Sequence, residues 1–222
     1  MDNLKLIIGT IAVSAALVVG LAYLGGKTAN NSDLQERPSD ITDNDLIYGN
    51  KSAKITIFEY SDIECPYCKV YHETLKNFVS KNDNVKWVFR HFPLAQLHPK
   101  AQKEAEAVEC VKKIAGVDTA FEYLNMLFDK VESNNKTDLK ILNKLASQMN
   151  IDKNEFENCL QNRETKDVVD NHAKEALKLG ARGTPYSVFV FEDKLVKESG
   201  ALTEDMLAGI IDNLLKNNKG DK

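Results

Sequence analysis

The stretch that decides the fold is Phe58–Cys68, FEYSDIECPYC, where a run of strand-forming residues leads through a short loop into two cysteines three residues apart. The run itself, Lys54–Tyr60 (KITIFEY), is rich in β-branched and aromatic residues and predicts a buried strand. Pro66 fits the first turn of a helix, where a missing backbone N–H costs nothing. We therefore expect Cys65 and Cys68 at the junction between a strand and a helix.

The helix after this junction is predicted to end at about Val79. Its core-facing residues are expected to be Val70, Leu75, Phe78 and Val79. A second strand is predicted over Lys86–Phe92 (KWVFRHF). A strand, a helix and a strand in this order predict a parallel crossover, so the expected fold class is α/β.

Between residues 97 and 180 the pattern changes to helical periodicity without a strand. The predicted helices are Ala101–Ile114, Ala120–Val131, Asp138–Met149, Asp152–Leu160 and Arg163–Leu179. A hairpin of Tyr186–Phe191 and Leu195–Glu198 and an amphipathic helix over Thr203–Leu215 follow. We thus expect one α/β domain at residues 47–217 with an inserted helical domain at about 97–180, and a short tail at 218–222.

The composition is that of an ordinary globular protein, with 43% hydrophobic and 28% charged residues. The net charge of -4 comes from 29 basic and 33 acidic residues that are interspersed along the chain. Because no long basic tract can follow a phosphate backbone, we expect no nucleic-acid partner.

The first 26 residues differ from the rest, because Leu6–Leu24 is an unbroken run of apolar and small residues. At ~1.5 Å per residue, a helix of this length is about long enough to cross a bilayer. We predict an uncleaved transmembrane anchor at residues 1–26, with a cleaved signal segment as the alternative. Residues 27–46, rich in Asn, Asp, Ser and Thr, are expected to be a linker. Both interpretations place the folded domain on the extracytoplasmic side of a membrane, where disulfides persist.

The motif Cys65-Pro66-Tyr67-Cys68 brings two thiols to one side of the first helical turn. At the helix N-terminus, free backbone N–H groups and the positive end of the helix dipole favour the thiolate of Cys65. We predict that Cys65 is the nucleophile and that Cys68 is the resolving thiol of a redox pair. Pro66 and Tyr67 are expected to tune the balance between them.

Two other uses of these cysteines stay open. A structural disulfide would close too short a loop to contribute much stability. A metal-binding module is the alternative from another class, because Cys65, Cys68 and His72 form a C-x2-C-x3-H pattern whose donors zinc accepts. No fourth ligand is evident, so a solvent-facing His72 is the favoured interpretation, and we expect no metal and no cofactor.

A second signal is Gly183-Thr184-Pro185-Tyr186, directly before a predicted strand. Proline is tolerated at the start of a strand, and an X-Pro bond at such a place can be cis. This four-residue segment is a weak signal alone and a strong one together with CPYC.

With these motifs in view, the chain resembles the DsbA-like family of thioredoxin-fold oxidoreductases over about residues 47–217. The matching features are FEYSDIECPYC, the RHFPL segment, the helical insertion and RGTPYSVFV. The resemblance implies that Pro185 is cis and lies against the cysteines, and that the backbone of Thr184 helps to hold substrate. It also implies that Glu59 is buried beneath the site and exchanges a proton with Cys68, with an ordinary strand-edge carboxylate as the alternative.

The resemblance further implies an extracytoplasmic dithiol oxidase that introduces disulfides into exported proteins with free cysteines. A membrane redox partner would then reoxidise the pair. The sequence departs from the strongly oxidising members, which commonly have Pro-His where this chain has Pro66-Tyr67, and Val where it has Thr184. A disulfide reductase or isomerase that uses the same pair therefore stays open as an alternative.

Cys110 and Cys159 both lie in the predicted helical insertion, in segments that suit two helices packed together. A structural disulfide between them is our hypothesis, and two separate buried thiols are the rival. The other histidines, His91, His98 and His172, share no spacing and are expected at the surface or in loops.

Overall fold

The structure is a computed structural model and describes residues 36–216. The chain divides into two units, Met1–Glu36 and Arg37–Lys222. The predicted anchor or signal segment at 1–26, the first part of the predicted linker at 27–35 and the predicted tail at 218–222 lie outside the described residues. Within residues 36–216, no helix has the length and apolar character that crossing a membrane requires.

Five strands and seven helices make up the described part of the chain. Their order is β1 (Leu46–Gly49), β2 (Ile55–Ser61), α1 (Pro66–Ser80), β3 (Val85–His91), α2 (Ala101–Ala115), α3 (Val117–Lys130), α4 (Lys140–Gln148), α5 (Lys153–Gln161), α6 (Lys166–Lys178), β4 (Tyr186–Phe191), β5 (Lys194–Ser199) and α7 (Glu204–Lys216). The strand order in the sheet is β1-β3-β2-β4-β5. Only β2 and β3 pair in parallel, through the predicted crossover helix α1.

The central strand β2 is buried along its whole length, and its side chains alternate between the two faces of the sheet. On one face, Ile57 joins the larger core, to which α1, α7 and the inserted helices contribute. On the other face, Phe58 and Tyr60 join a smaller core beneath α6. This alternation turns Glu59 toward the same face as Ile57, which is the face that carries α1.

The second half of the predicted linker is part of the folded unit. Arg90 of β3, only 2% exposed, donates from Nε to Asp45 Oδ1 at 3.1 Å and from a guanidinium nitrogen to Glu175 Oε2 at 2.5 Å. The Ser39 hydroxyl accepts a further hydrogen bond from the same guanidinium. At the other end of this segment, Arg37 donates to the carbonyls of the turn between β4 and β5. The polar residues that predict a linker are therefore the partners that hold this segment to the domain.

Two expectations for α1 are wrong. Its buried residues form a stripe at helical spacing, namely Cys68, Tyr71, His72, Leu75, Phe78 and Val79. Val70 lies off this stripe and is 64% exposed. His72 lies on it and is fully buried, with Nε2 2.7 Å from Asn125 Oδ1. Burial lowers the pKa of His72 to about 4, so the ring is neutral.

The inserted helices are joined by a disulfide between Cys110 of α2 and Cys159 of α5, whose Cα atoms are 5.9 Å apart. Both cysteines are buried. The bridge closes a segment with a sequence separation of 49 residues.

Candidate active site

Cys65, the predicted nucleophile, lies between the buried strand β2 and helix α1. Cys65 is the residue that caps the N-terminus of α1, and Pro66 occupies the first helical position. Pro66 has no N–H, so the free N–H groups of this turn begin at Tyr67 and point toward the Cys65 sulfur. Both active-site cysteines are free thiols in the structure.

The two thiols ionise very differently. A hydrogen bond from Cys68, helped by the backbone N–H groups of Cys68 and Tyr67, lowers the pKa of Cys65 to about 6 against the opposing effect of burial. Burial and the neighbouring Cys65 raise the pKa of Cys68 well above its ordinary value. The backbone N–H of Asp62 lies 3.5 Å from Cys68 Sγ. At neutral pH the reduced pair therefore holds a thiolate at Cys65 and a thiol at Cys68.

The Thr184-Pro185 peptide lies against the nucleophile. This bond is cis, and the Thr184 carbonyl oxygen is 3.6 Å from Cys65 Sγ. Pro185 directly precedes β4, which is the place the sequence predicts for it.

Glu59 lies on β2 between β3 and β4 and is completely buried, so the interpretation as a strand-edge carboxylate is wrong. Ser61 and Trp87 are its nearest polar neighbours. Within residues 36–216, neither carboxyl oxygen makes a hydrogen bond of normal geometry. Burial raises the pKa of Glu59 to about 8, so this carboxyl is protonated at neutral pH. When Glu59 does ionise, its negative charge raises the pKa of the Cys68 thiol further.

Sequence analysis missed the role of Asp62, which organises the loop before the nucleophile. Its Oδ1 accepts a hydrogen bond from the backbone N–H of Glu64 at 2.8 Å. Its Oδ2 accepts from the backbone N–H of Leu94 at 2.7 Å and lies 3.0 Å from His98 Nδ1. An acidic residue three positions before a CxxC motif was the available signal. Its partners Leu94 and His98 follow β3 in the chain, and only the tertiary structure brings them close to Asp62.

Two large apolar side chains close to the cysteines in sequence are exposed. Tyr67 and Val70 of α1 are 68% and 64% exposed. A pocket of about 390 Å³ lies beside the loop that carries Thr184. Its lining residues are Phe92, Leu94, Ala95, Gln96, Leu97, Leu177 and Arg182.

The metal alternative fails on geometry. Among the described residues, no group of three or more His, Cys, Asp or Glu side chains is arranged to hold a metal ion. His72, the third member of the proposed set, packs among aromatic rings such as Trp87 and Phe128. His91 is buried in β3 and pairs with Glu109, so the expectation for it is wrong. His98 lies in the loop after β3, as expected, although its ring is buried and pairs with Asp62.

Comparison with known proteins identifies the family to which the chain belongs. Residues 41–213 match the model of the thioredoxin family. The chain belongs to the thioredoxin family. The solved structure of Pseudomonas aeruginosa DsbA2 is similar at a TM-score of 0.68 and 27% identity, covering 80% of this chain and 97% of that one. The described domain is therefore DsbA-like, with a thioredoxin-like fold and helices inserted between β3 and β4.

Curated relatives match over shorter stretches. The Na(+)/H(+) antiporter NhaA 1 of Salinispora arenicola is 40% identical over 67 residues, which is 30% of this chain and 10% of the antiporter. A putative protein-disulfide oxidoreductase of Rickettsia prowazekii is 34% identical over 65 residues, 25% of this chain and 24% of that protein. The matched segment thus spans about a tenth of the length of the antiporters and about a quarter of the Rickettsia protein.

Proposed function

We propose that this DsbA-like protein is an extracytoplasmic dithiol oxidase, which passes the disulfide of Cys65 and Cys68 to exported proteins that carry free cysteines. The observation that carries the proposal is the unequal ionisation of the two thiols. With its pKa lowered to about 6 by the hydrogen bond from Cys68, Cys65 is mostly thiolate at neutral pH in the reduced pair. A stabilised reduced form makes the corresponding disulfide a stronger oxidant.

In the proposed reaction, a substrate thiolate attacks Cys65 Sγ of the oxidised pair. The bond between Cys65 and Cys68 breaks, and Cys68 leaves with the electron pair and takes up a proton. A second substrate thiolate then attacks the substrate sulfur of the mixed disulfide, and Cys65 leaves as thiolate. The substrate has lost two electrons to the pair and has gained a disulfide.

Three further residues have roles in this scheme. Glu59, protonated at neutral pH, gives its proton to Cys68 as that sulfur leaves. Thr184 and Pro185 hold the substrate chain in extended form beside Cys65. Their closeness to the sulfur, 3.6 Å from the Thr184 carbonyl oxygen, supports this assignment.

The direction of electron flow is tested by the reduction potential of the Cys65–Cys68 pair, measured on the full chain in glutathione buffers. The Cys110–Cys159 bridge is followed separately by peptide mapping. We expect a potential well above about -180 mV, since a strong oxidant lies near about -120 mV. A potential near about -270 mV, as in thioredoxin, would make the protein a reductase and reverse the proposed direction.

The scheme needs a separate membrane partner that accepts two electrons from the reduced pair. It also places the protein at the membrane, held by the apolar run Leu6–Leu24.

Anchoring is tested by fractionating cells that express the full chain. We expect the protein to stay with the membranes through alkaline carbonate extraction and to keep the mass of the uncleaved chain. A shorter mature mass together with release into the soluble fraction would instead establish the cleaved signal segment.

A further inference from the structure

Two buried carboxyl groups meet beside the nucleophile. Glu64 directly precedes Cys65, and Glu104 lies in the first turn of α2. Both side chains are fully buried. Within the described part of the chain, no N–H or hydroxyl donates to either oxygen of Glu104 or to Oε1 of Glu64. Asn135 joins the two regions, because its N–H donates to Glu64 Oε2 and its carbonyl accepts from Lys100 at the start of α2. The two carboxyls are therefore neighbours, and a proton on one of them can be shared with the other.

The other titratable groups that face Glu104 are already engaged. They are Asp62 from the nucleophile loop, Lys100 at the start of α2 and Tyr123 of α3. Asp62 accepts hydrogen bonds from its own loop and the loop after β3. Lys100 donates to two backbone carbonyls of the loop between α3 and α4, and Tyr123 donates to a backbone carbonyl of α4. Glu64 is therefore the group that can satisfy the Glu104 carboxyl.

Glu64 links the nucleophile loop to the inserted helical domain. Its Oε2 accepts a hydrogen bond from the backbone N–H of Asn135 at 2.5 Å. Its backbone carbonyl accepts from the N–H of Asn134 at 2.9 Å. Both donors belong to the loop between α3 and α4. The position of the residue before Cys65 thus depends on contacts with the helical domain.

We propose that Glu104 is a positioning residue for Cys65, because the proton it shares with Glu64 holds the nucleophile loop against the inserted helical domain. With the shared proton in place, the pair carries a single negative charge and one hydrogen bond. Loss of that proton leaves two adjacent charges in a buried site, where their repulsion is large. Glu64 then separates from Glu104, and Cys65, now only 5% exposed, becomes more accessible.

The two ionisations occur at well separated pH. Burial, together with the neighbouring Glu64 carboxyl, raises the pKa of Glu104 to about 9. The pKa of Cys65 is about 6. The thiolate therefore forms first, and the release of the loop follows as a second step in alkaline solution.

The test is the pH profile of Cys65 alkylation by iodoacetamide, in the reduced full chain, from about pH 5 to about pH 11. For the wild type we expect one rise in rate near pH 6 and a second near pH 9. Glu104→Gln should keep the first rise and lose the second, because the amide donates to Glu64 and has no proton to lose in this range. Glu73→Gln is the matched control, since it removes an exposed carboxylate from α1 and should keep both rises.

Glu104→Ala removes the partner altogether and should already react faster at neutral pH, with rescue by Glu104→Gln. An alkaline rise that survives in Glu104→Gln, or that disappears in Glu73→Gln, would overturn the proposal. If Glu104→Ala does not fold, the comparison of Glu104→Gln with the wild type decides alone. The inference rests on Cys65 as nucleophile, whose own rise near pH 6 is a separate outcome, and not on the direction of electron flow.

Discussion

At the scale of single residues, the proposed chemistry needs one charged group, the Cys65 thiolate, and two neutral ones, Cys68 and Glu59. Burial disfavours the charged form of each of them. Cys65 has backbone N–H groups and a thiol donor at its sulfur, so its charged form is stabilised although the sulfur is buried. For Cys68 and Glu59 the effect of burial outweighs that of the neighbouring hydrogen-bond donors, so both groups stay neutral. In the proposed reaction the cysteine pair takes up two electrons, and Cys68 also takes up a proton. The site provides a charged sulfur at Cys65 and a protonated carboxyl at Glu59 for these two tasks.

Glu59→Gln tests the state of the buried carboxyl. The pKa of Glu59 is raised by burial from 4.5 to about 8, so its contribution to the free energy of unfolding is full below about pH 4.5 and is lost as the pH rises through 8. The variant has no such loss. Between about pH 4.5 and about pH 8 the wild type should lose on the order of 5 kcal/mol relative to Glu59→Gln.

Urea unfolding of both proteins across this pH range measures the difference. Glu73→Gln on the exposed side of α1 serves again as control and should follow the wild type. Parallel curves for Glu59→Gln and the wild type would show that Glu59 ionises normally, and the proton transfer to Cys68 would have to be abandoned.

At the scale of elements, the inserted helices depend on a covalent bridge between α2 and α5. In the chain-entropy model a loop of about 50 residues contributes about 4 kcal/mol to the free energy of unfolding. Replacing Cys110 and Cys159 together by Ala should therefore lower that free energy by up to about 4 kcal/mol. The reduction potential of Cys65 and Cys68 should stay unchanged, because the bridge lies outside the active site.

Chemical denaturation of the double variant, with the wild type under reducing and oxidising conditions for comparison, checks this prediction. A variant as stable as the oxidised wild type would mean that the Cys110–Cys159 bridge does not contribute to the free energy of unfolding.

Most elements could be predicted because their patterns are local. The strand before CPYC, the helix that Pro66 begins, the helical insertion and the hairpin after Pro185 all lie within a few residues of their predicted bounds. The short strand β1 escaped notice because Leu46–Gly49 follows a polar segment and owes its conformation to pairing with β3. Leu75, Phe78 and Val79 lie on the buried stripe of α1 as predicted, whereas Val70 is exposed because the first turns of α1 bury Tyr71 and His72 instead.

At the scale of the whole molecule, the part of the site that sequence could not supply is its buried charge. Asp62, Glu64 and Glu104 look like surface residues in sequence, since acidic side chains are rarely fully buried without partners. Their partners come from loops and helices far along the chain, so no local sequence pattern predicts that these acidic side chains are buried. The cysteines and Pro185 could be identified because each belongs to a short motif of consecutive residues. The groups around them come together only when the chain folds.

The contact between Arg37 and the turn of Glu192 and Asp193 fixes where the chain enters the folded unit. That turn ends β4, whereas Pro185 and the sulfurs lie at the start of β4. Six residues at about 3.3 Å each separate the two ends by roughly 20 Å. A chain coupled to a bead or an electrode through a handle before Arg37 would be held at the end remote from its sulfurs. The same architecture therefore suits immobilisation of the protein with its cysteine pair directed toward proteins in solution.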